Sequence, residues 1–323
     1  MVFSNLGATL VSLFVKDSNG NFSDIVLGYD EVDDYSDDSF YIGSVVGRYA
    51  NRINGDAVLI NDKQYKIAVR DGGYHLHGGN VGFNKKIFNA APFILEGIQG
   101  ISFKYTSPHL EEGFPGDLEL EVLYTLDDDD QWVIEYKAVS NRPTLINLTQ
   151  HTYFNLSGKP ELGIGNHELQ ILSDYYLPVN QQQVPTGDFA TVKDTPFDFT
   201  LPKIIYRDID TRDEQLVLSG GYDHSYVLEK IHTGALKHAA VVKEPTSQRR
   251  MDVYTTEPAV HFYSGNFLEG ITGKNKSTYG KRSGFCLETQ HFPDAPNHPH
   301  FPSTLLQAGE VFMSKTIFKF SVE

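Results

Sequence analysis

The sequence is poor in cysteine: its 323 residues contain a single one, Cys286. One thiol can form no disulfide within the chain and cannot build a cysteine-rich zinc site. No run of 18 apolar residues occurs, so no transmembrane helix is expected. The first residues lack a basic segment followed by an apolar core, so no signal peptide is predicted. We therefore expect a cytoplasmic protein without a membrane partner.

Positive charge is also scarce. Lys and Arg number 27 against 42 Asp and Glu, which gives a formal net charge of −15 and a pI near 5.2. Such a surface repels phosphate backbones and anionic lipids, so a nucleic-acid partner is not expected. A neutral ligand is easier to accommodate than a polyanion.

Long stretches with helical periodicity are missing, whereas alternation of apolar and polar residues recurs along the chain. Residues 8–14, 118–126, 132–139 and 311–320 show it, and each run is bounded by Gly, Asn, Asp or Pro. Many strands without crossover helices must pack sheet on sheet. We predict an all-β protein, a large antiparallel β-sandwich with short peripheral helices.

No linker, low-complexity segment or fixed-period repeat interrupts the pattern, so residues 1–323 are predicted to form a single domain. Two acidic stretches are interpreted as solvated surface structure. Residues 127–130 are predicted to form a hairpin turn, and residues 33–38 an acidic loop.

Two polar segments near the N-terminus are candidates for a site. Residues 47–53 contain Asn51 and Arg52, which form either a hydrogen-bonding fork for neutral oxygen groups or a charged surface turn. His75 and His77 alternate before a Gly-Gly pair, so on a strand they would share a face. That spacing suits a cupin-like metal site, or simply a strand end before a turn.

A third segment, residues 147–158, carries a row of hydrogen-bonding side chains. In extended geometry Asn147, Thr149, His151, Tyr153 and Asn155 share a face. A solvated outer face more often carries Lys and Glu, so we interpret this row as facing a ligand.

A fourth segment, residues 286–302, begins on a predicted strand, 285–290, that places Cys286, Glu288 and Gln290 on one face. Apolar neighbours make Glu288 a candidate for a partly buried carboxylate with a shifted pKa. A salt-bridged surface glutamate is the alternative.

Two shorter segments, residues 221–226 and 260–267, mix aromatic and polar side chains. That composition is expected of a sugar site, in which rings stack on C–H faces and polar groups bind hydroxyls. Core aromatics are the alternative interpretation.

Taken together, six stretches resemble the aldose 1-epimerase (galactose mutarotase) family and occur in the family's order. They are GRYANRI (47–53), LHGG (76–79), NLTQHTYFNL (147–156), DHSY (223–226), FYSGNFL (262–268) and LETQHFPDAPN (287–297). They span almost the whole chain. One alone would be weak, but six in order are specific.

The resemblance implies an isomerase of the supersandwich fold that acts on a free hexose in an open cleft without a cofactor or metal. By position, Glu288 matches the family's general base, His151 its general acid and His77 an accessory acid or charge stabiliser. Side chains expected to bind the sugar are Asn51, Arg52, Tyr153, Asp223 and His261. At position 261 vertebrate-like members carry glutamine, so His261 is expected to alter hydroxyl contacts or hexose preference. A monomer is the default expectation.

The chemistry of such an enzyme needs no redox centre or nucleophile. A proton must leave O1 while another reaches the ring oxygen O5, and each positioned group contributes roughly 10²–10⁴-fold. We expect a bell-shaped pH–rate profile, with the acidic limb from Glu288 and the basic limb from His151.

Other classes fit less well. A cupin enzyme would need a glutamate shortly after His-x-His, which residues 78–83 lack. A hexose-6-phosphate 1-epimerase would need further Arg or Lys at the cleft. A non-catalytic sugar-binding protein would be expected to lose the acid or the base, and no partner spacing supports a Cys286–His hydrolase.

Overall fold

The computed structural model describes residues 1–70, 72–95 and 97–323. Its strands are β1 (Val2–Ser4), β2 (Thr9–Ser12), β3 (Phe14–Lys16), β4 (Phe22–Asp24), β5 (Val45–Val46), β6 (Arg52–Asn54), β7 (Ala57–Ile60), β8 (Lys63–Lys66), β9 (Tyr74–Leu76), β10 (Asn89–Leu95), β11 (Ile98–Ser107), β12 (Leu118–Leu126), β13 (Gln131–Ser140), β14 (Thr144–Leu145), β15 (Thr149–Gln150), β16 (Glu168–Ile171), β17 (Tyr175–Tyr176), β18 (Ala190–Thr191), β19 (Lys203–Ile204), β20 (Asp223–Val227), β21 (Lys237–Glu244), β22 (Arg249–Thr255), β23 (Ala259–Tyr263), β24 (Ile271–Thr272), β25 (Thr278–Tyr279), β26 (Cys286–Gln290), β27 (Leu305–Leu306) and β28 (Val311–Val322).

Helices in this part of the chain are short, as predicted. The α-helices are α1 (Val32–Asp37) and α2 (Glu214–Ser219), and the 3₁₀ turns are Phe83–Lys85, Glu111–Gly113, Pro160–Leu162, Ile205–Arg207, Lys274–Lys276 and Ala295–Asn297. Among the described residues, no helix has the length and apolar character needed to cross a bilayer.

Nine strands form the larger sheet, in the order β10-β11-β12-β13-β28-β22-β21-β16-β19. Every neighbouring pair in it is antiparallel. The predicted run 118–126 is β12 itself, and every second residue from Leu118 to Tyr124 is buried while Glu119 is exposed. At the 127–130 turn the Asp127 carboxylate accepts the backbone N–H groups of Asp129 and Gln131, which closes the predicted hairpin.

The smaller sheet has five antiparallel strands in the order β18-β17-β20-β23-β26. One buried apolar cluster joins the two sheets: Trp132 and Phe318 come from the larger sheet, and Tyr226, Phe262 and Leu287 from the smaller. The prediction of an all-β sandwich is therefore confirmed. One domain over residues 1–323 stays a prediction.

Three local predictions differ from the structure. The run 8–14 breaks at Leu13, whose N–H binds the Asp24 carboxylate as the chain changes partner from β1 to β4. Most of the acidic stretch 33–38 forms helix α1, because Tyr35 is buried there. Within 147–158 only Thr149–Gln150 is a paired strand, so the row of polar side chains follows an irregular backbone.

Candidate active site

A cavity of about 200 Å³ opens at one face of the five-stranded sheet and contains every side chain predicted for the site. Its lining includes Asn51, Arg52, His77, His151, Tyr153, Asp223, His261 and Glu288. The volume lies below the roughly 300–1,000 Å³ of sites for drug-sized ligands, which suits a small molecule. A larger depression of about 610 Å³ lies over β11, β12 and β13, but its charged residues Lys104, Glu119, Glu121 and Lys137 are exposed or half-buried. Burial and chemistry both favour the smaller cavity.

Three neighbouring strands of the five-stranded sheet form the floor of this cavity. Their register places Ser225, His261 and Glu288 in one row across the sheet and Asp223, Tyr263 and Cys286 in the next. Residues two apart on a strand share a face, so both rows point to the same side. The strand predicted at 285–290 is observed as β26, Cys286–Gln290, and cross-strand pairing brings its glutamate beside residues far away in the sequence.

The opposite wall comes from the segments around β6 and β9. Asn51 and His77 both adopt left-handed backbone conformations, with φ of 61° and 49°, and they bind each other reciprocally. The His77 N–H donates to the Asn51 carbonyl (3.1 Å), and the Asn51 N–H donates to His77 Nδ1 (3.2 Å). Because Nδ1 accepts, the neutral imidazole of His77 carries its proton on Nε2.

The third wall is the irregular segment after β15, which carries His151 and Tyr153. The backbone N–H of His151 donates to Ser44 O (2.9 Å), and its carbonyl accepts from Gly43 N (2.9 Å). The His151 ring lies between those of His77 and Tyr153, with centroid distances of 5.4 and 5.0 Å. Both its backbone and its ring are therefore fixed, as acid–base chemistry requires.

Glu288 and His151 meet in this cavity. Glu288 Oε1 is 3.7 Å from His151 Nε2, and both side chains are at most 5 % exposed. The other carboxylate oxygen, Oε2, is buried and has no hydrogen-bond partner in the described structure. A buried carboxylate oxygen without a partner is costly, so Oε2 is a candidate partner for a polar group of a ligand.

Burial shifts the protonation of this pair in opposite directions. It raises the pKa of Glu288 well above its ordinary range, with a further contribution from the charge of Asp223. It lowers the pKa of His151 to about 4 and the pKa of His77 well below its ordinary value. Burial therefore favours the neutral form of the carboxyl and of both imidazoles.

A buried chain of hydrogen bonds holds Asp223. His261 Nε2 donates to Asp223 Oδ1 (2.6 Å), and His261 Nδ1 is 2.8 Å from Ser225 Oγ. Burial alone would raise the pKa of Asp223, but the hydrogen bond and charge of His261 outweigh it and hold this pKa at about 2. Asp223 is therefore an anion, and both ring nitrogens of His261 are occupied.

Arg52 is oriented from several sides. Its NH2 donates to Gln183 Oε1 (2.6 Å) and is 3.9 Å from Asp223 Oδ2. Asp294 accepts from the N–H of Asn54 and donates its own N–H to Arg52 O, which holds the start of β6.

Several residues that surround the site were not among the candidates from the sequence. Tyr41 lines the cavity and packs on the His77 ring with a centroid distance of 4.7 Å, and the Arg70 guanidinium donates to its hydroxyl. Phe267 is 55 % exposed at the cavity, and Gln183 holds Arg52. Only Phe267 lies in a segment that had been singled out, by its mixture of aromatic and polar residues.

Some of the singled-out residues lie outside the cavity. His75 is buried in β9, where its Nδ1 is 2.8 Å from Ala68 O, so it does not share a site with His77. Asn147 and Asn155 bind backbone groups instead of facing the cavity. The interpretation of His75 and His77 as a cupin-like metal pair is therefore wrong.

A sandwich of two antiparallel sheets, with a buried carboxylate–imidazole pair in a small polar cavity, defines a class: a β-sandwich enzyme equipped for acid–base chemistry on a small polar ligand. Comparisons with known proteins identify the family within that class. The sequence model of the family described as aldose 1-epimerase matches residues 1–319.

Two curated relatives and a solved structure indicate the same family. Galactose mutarotase from Bos taurus is 43 % identical over 321 residues, covering 98 % of this chain and 89 % of the relative. Aldose 1-epimerase from Escherichia coli (strain K12) is 36 % identical over 98 % of this chain and 90 % of its own length. The structure of a GalM/aldose epimerase homologue from C. elegans superimposes with a TM-score of 0.89 at 31 % identity, over 99 % of this chain and 94 % of that one.

The chain belongs to the aldose 1-epimerase family, and it is an isomerase whose activity is the interconversion of aldose anomers. The resemblance on which the sequence analysis relied is confirmed.

Proposed function

We propose that this cavity interconverts the α and β anomers of a free hexose such as D-galactose or D-glucose, with Glu288 as general base and His151 as general acid. The observation that carries the proposal is the 3.7 Å approach of the two groups in one enclosed cavity. O1 and O5 of a pyranose are bonded to the same carbon, so the groups that serve them must be close neighbours. The names of the mammalian and bacterial relatives support the choice of sugar.

Ring opening moves two protons. Glu288 takes the proton of the O1 hydroxyl while His151 Nε2–H gives one to O5, the C1–O5 bond breaks, and C1 becomes an aldehyde carbon. Rotation about C1–C2 turns the other face of the carbonyl towards the chain, and the reverse transfers close the ring. His77, whose Nε2 carries its proton, donates a hydrogen bond that stabilises charge near O5.

The pair carries one proton throughout this cycle. Opening requires carboxylate and imidazolium, whereas closure requires the carboxylic acid and neutral imidazole that burial favours. Both arrangements hold the same number of protons, so pH does not change their ratio. A sugar hydroxyl that donates to Glu288 favours the carboxylate form and so prepares the pair for opening.

The remaining residues of the cavity hold the sugar ring. Arg52 and Asn51 offer donors and an acceptor, the anionic Asp223 accepts from hydroxyls, and Tyr153 packs beside the acid. His261 has no free ring nitrogen, because Ser225 and Asp223 occupy both. We infer that it contributes to sugar binding by fixing Asp223.

Polarimetry tests the proposal. Pure α-D-galactose and α-D-glucose are followed with and without EDTA, after subtraction of the uncatalysed rate, for the wild type and for Glu288→Gln and His151→Asn. We expect catalysis that survives EDTA and a loss of about 10²–10⁴-fold in kcat for each variant. Near-wild-type rates in both variants would overturn the assignment.

The same assay with glucose 6-phosphate addresses the nearest alternative. Two arginines line the cavity, but Arg52 is engaged by Gln183 and Asp223, and Arg70 by Tyr41. The anionic Asp223 also opposes a dianion. We therefore expect a lower kcat/KM for the phosphate ester than for the free sugar.

A further inference from the structure

The single thiol of the chain lies against the catalytic pair, and the proposed reaction makes no use of it. Cys286 precedes Glu288 by two residues on β26, so the two side chains share the face that forms the cavity floor. Cys286 Sγ is 3.5 Å from His151 Nδ1, the ring nitrogen on the other side of the imidazole from Glu288. The thiol and the carboxylate thus flank the same buried imidazole.

The spacing of the thiol sulfur and the imidazole nitrogen fits a small cation that prefers sulfur. One ligand atom from each of His151, Cys286 and Glu288 lies within 4.8 Å of the other two. On a tetrahedral zinc ion, a thiolate sulfur at ~2.3 Å and an imidazole nitrogen at ~2.05 Å are separated by about 3.6 Å. The observed separation of 3.5 Å is close to that value.

The carboxylate oxygen that the proposed reaction offers to a sugar hydroxyl is equally available to a cation. Glu288 is 2 % exposed, and its Oε2 has no hydrogen-bond partner in the described structure. A cation is an effective partner for a buried carboxylate oxygen. Two ligands spaced by two on a strand and a histidine from a neighbouring segment make three protein ligands, the number found in zinc sites that keep an exchangeable fourth ligand.

We propose that His151, Cys286 and Glu288 form an inhibitory binding site for a thiophilic divalent cation such as Zn²⁺ or Cd²⁺. The ion takes the oxygen and the imidazole that the reaction needs, so metal binding and sugar turnover exclude each other. Binding displaces the thiol proton and is therefore weaker at lower pH. A hard ion such as Mg²⁺ prefers oxygen ligands and does not compete.

The unique thiol permits a test that does not depend on activity. The wild-type protein is titrated with Cd²⁺ while the ultraviolet thiolate-to-metal absorption is recorded; any such band must come from Cys286, because the chain has no other cysteine. We expect a band that saturates at one ion per chain and is removed by EDTA. Absence of the band at saturating Cd²⁺ would overturn the proposal, whatever the activity assays show.

Inhibition is then measured by polarimetry at several sugar concentrations. Zn²⁺ is expected to raise the apparent KM for the sugar, Mg²⁺ to have no effect, and EDTA to restore the full rate. Cys286→Ser, compared with its own metal-free rate, should weaken inhibition at least about tenfold, since loss of an outer-shell partner alone costs about 10- to 100-fold.

The exposed His300 supplies the matched control, because a surface histidine can also bind zinc. His300→Ala should leave the inhibition constant unchanged. Equal inhibition of Cys286→Ser and the wild type would place the ion elsewhere and contradict the proposal. Should Cys286→Ser fail to fold, the Cd²⁺ band of the wild type still decides.

Discussion

Replacement of Glu288 by glutamine should move activity and stability in opposite directions. The amide has nearly the shape of the carboxylate but cannot take a proton, so the variant loses the general base. Because the side chain is 2 % exposed, solvent cannot easily replace it. We expect a loss of about 10²–10⁴-fold in kcat.

Stability should rise instead. Burial and the charge of Asp223 raise the pKa of Glu288 in the folded state. A raised folded-state pKa means that the native protein binds this proton more tightly than the unfolded chain. The wild type therefore loses free energy of unfolding as pH rises above the ordinary range of a glutamate, with a slope of up to about 1.4 kcal/mol per pH unit until the folded pKa is passed. Glu288→Gln removes that loss.

Glu257 is a matched control: it too is 2 % exposed, but His291 Nδ1 lies 2.6 Å from its Oε2. Burial alone would raise the pKa of Glu257, yet the charge and hydrogen bond of His291 outweigh it and leave this pKa lowered. The carboxylate of Glu257 thus contributes stability above the ordinary glutamate range, and Glu257→Gln should be destabilising at neutral pH. It should leave kcat little changed, since Glu257 does not line the cavity.

Urea unfolding at several pH values, beside polarimetry, measures both effects. The difference in free energy of unfolding between Glu288→Gln and the wild type should grow from acidic to neutral pH, and Glu257→Gln should show the opposite trend. A Glu288→Gln variant that is less stable than the wild type at neutral pH would show that the buried carboxylate has compensating partners, and the reasoning would fail.

Two further predictions concern the pocket. His261→Phe, which cannot donate to Asp223, should lower kcat/KM by about 10- to 100-fold, mainly through KM, because a hydrogen bond to a charged group contributes about 1.5–3 kcal/mol. His261→Gln keeps a donor and should recover most of the loss. Equal kinetics for the two variants would show that Asp223 needs no such partner. The pKa shifts exchange the two limbs expected from the sequence: in polarimetry, kcat should follow a bell-shaped curve whose acidic limb comes from His151, near its pKa of about 4, and whose basic limb comes from Glu288, above the ordinary range of a glutamate. A basic limb within the ordinary range of a glutamate would contradict the raised pKa of Glu288.

Much of the fold and site could be predicted because both leave local patterns. Strand β12 begins and ends where alternation predicts, since every second residue from Leu118 to Tyr124 enters the core. The site residues cluster in polar segments that break this alternation. Histidine and asparagine at positions where the alternation predicts leucine indicate a buried polar face. This pattern singled out the segments that contain His151, Tyr153 and Glu288.

What could not be predicted depends on register and loop closure. The Asp223–His261–Ser225 chain exists because β20 pairs with β23 so that Ser225 faces His261, and nothing in either segment alone specifies that pairing. Tyr41, Arg70 and Gln183 stand singly in loops, without periodicity or spacing. His77 left the predicted strand face because its backbone turns to a φ of 49° immediately after β9.

The opposite pKa shifts of Glu288 and His151 follow from one cause, and they bear on how the enzyme works in both directions. Burial penalises each charged form, so it favours the arrangement in which the carboxyl holds the proton and the imidazole is neutral. That is the state in which the pair closes a ring on an open-chain aldehyde. A cyclic sugar must first draw the proton across 3.7 Å, and its own O1–H and O5 supply the donor and acceptor that favour the transfer. A reversible isomerase must be able to reach both arrangements of the proton on Glu288 and His151. In a solvated pair with ordinary pKa values, the pH of the solution, and not the bound sugar, would determine the protonation of each group.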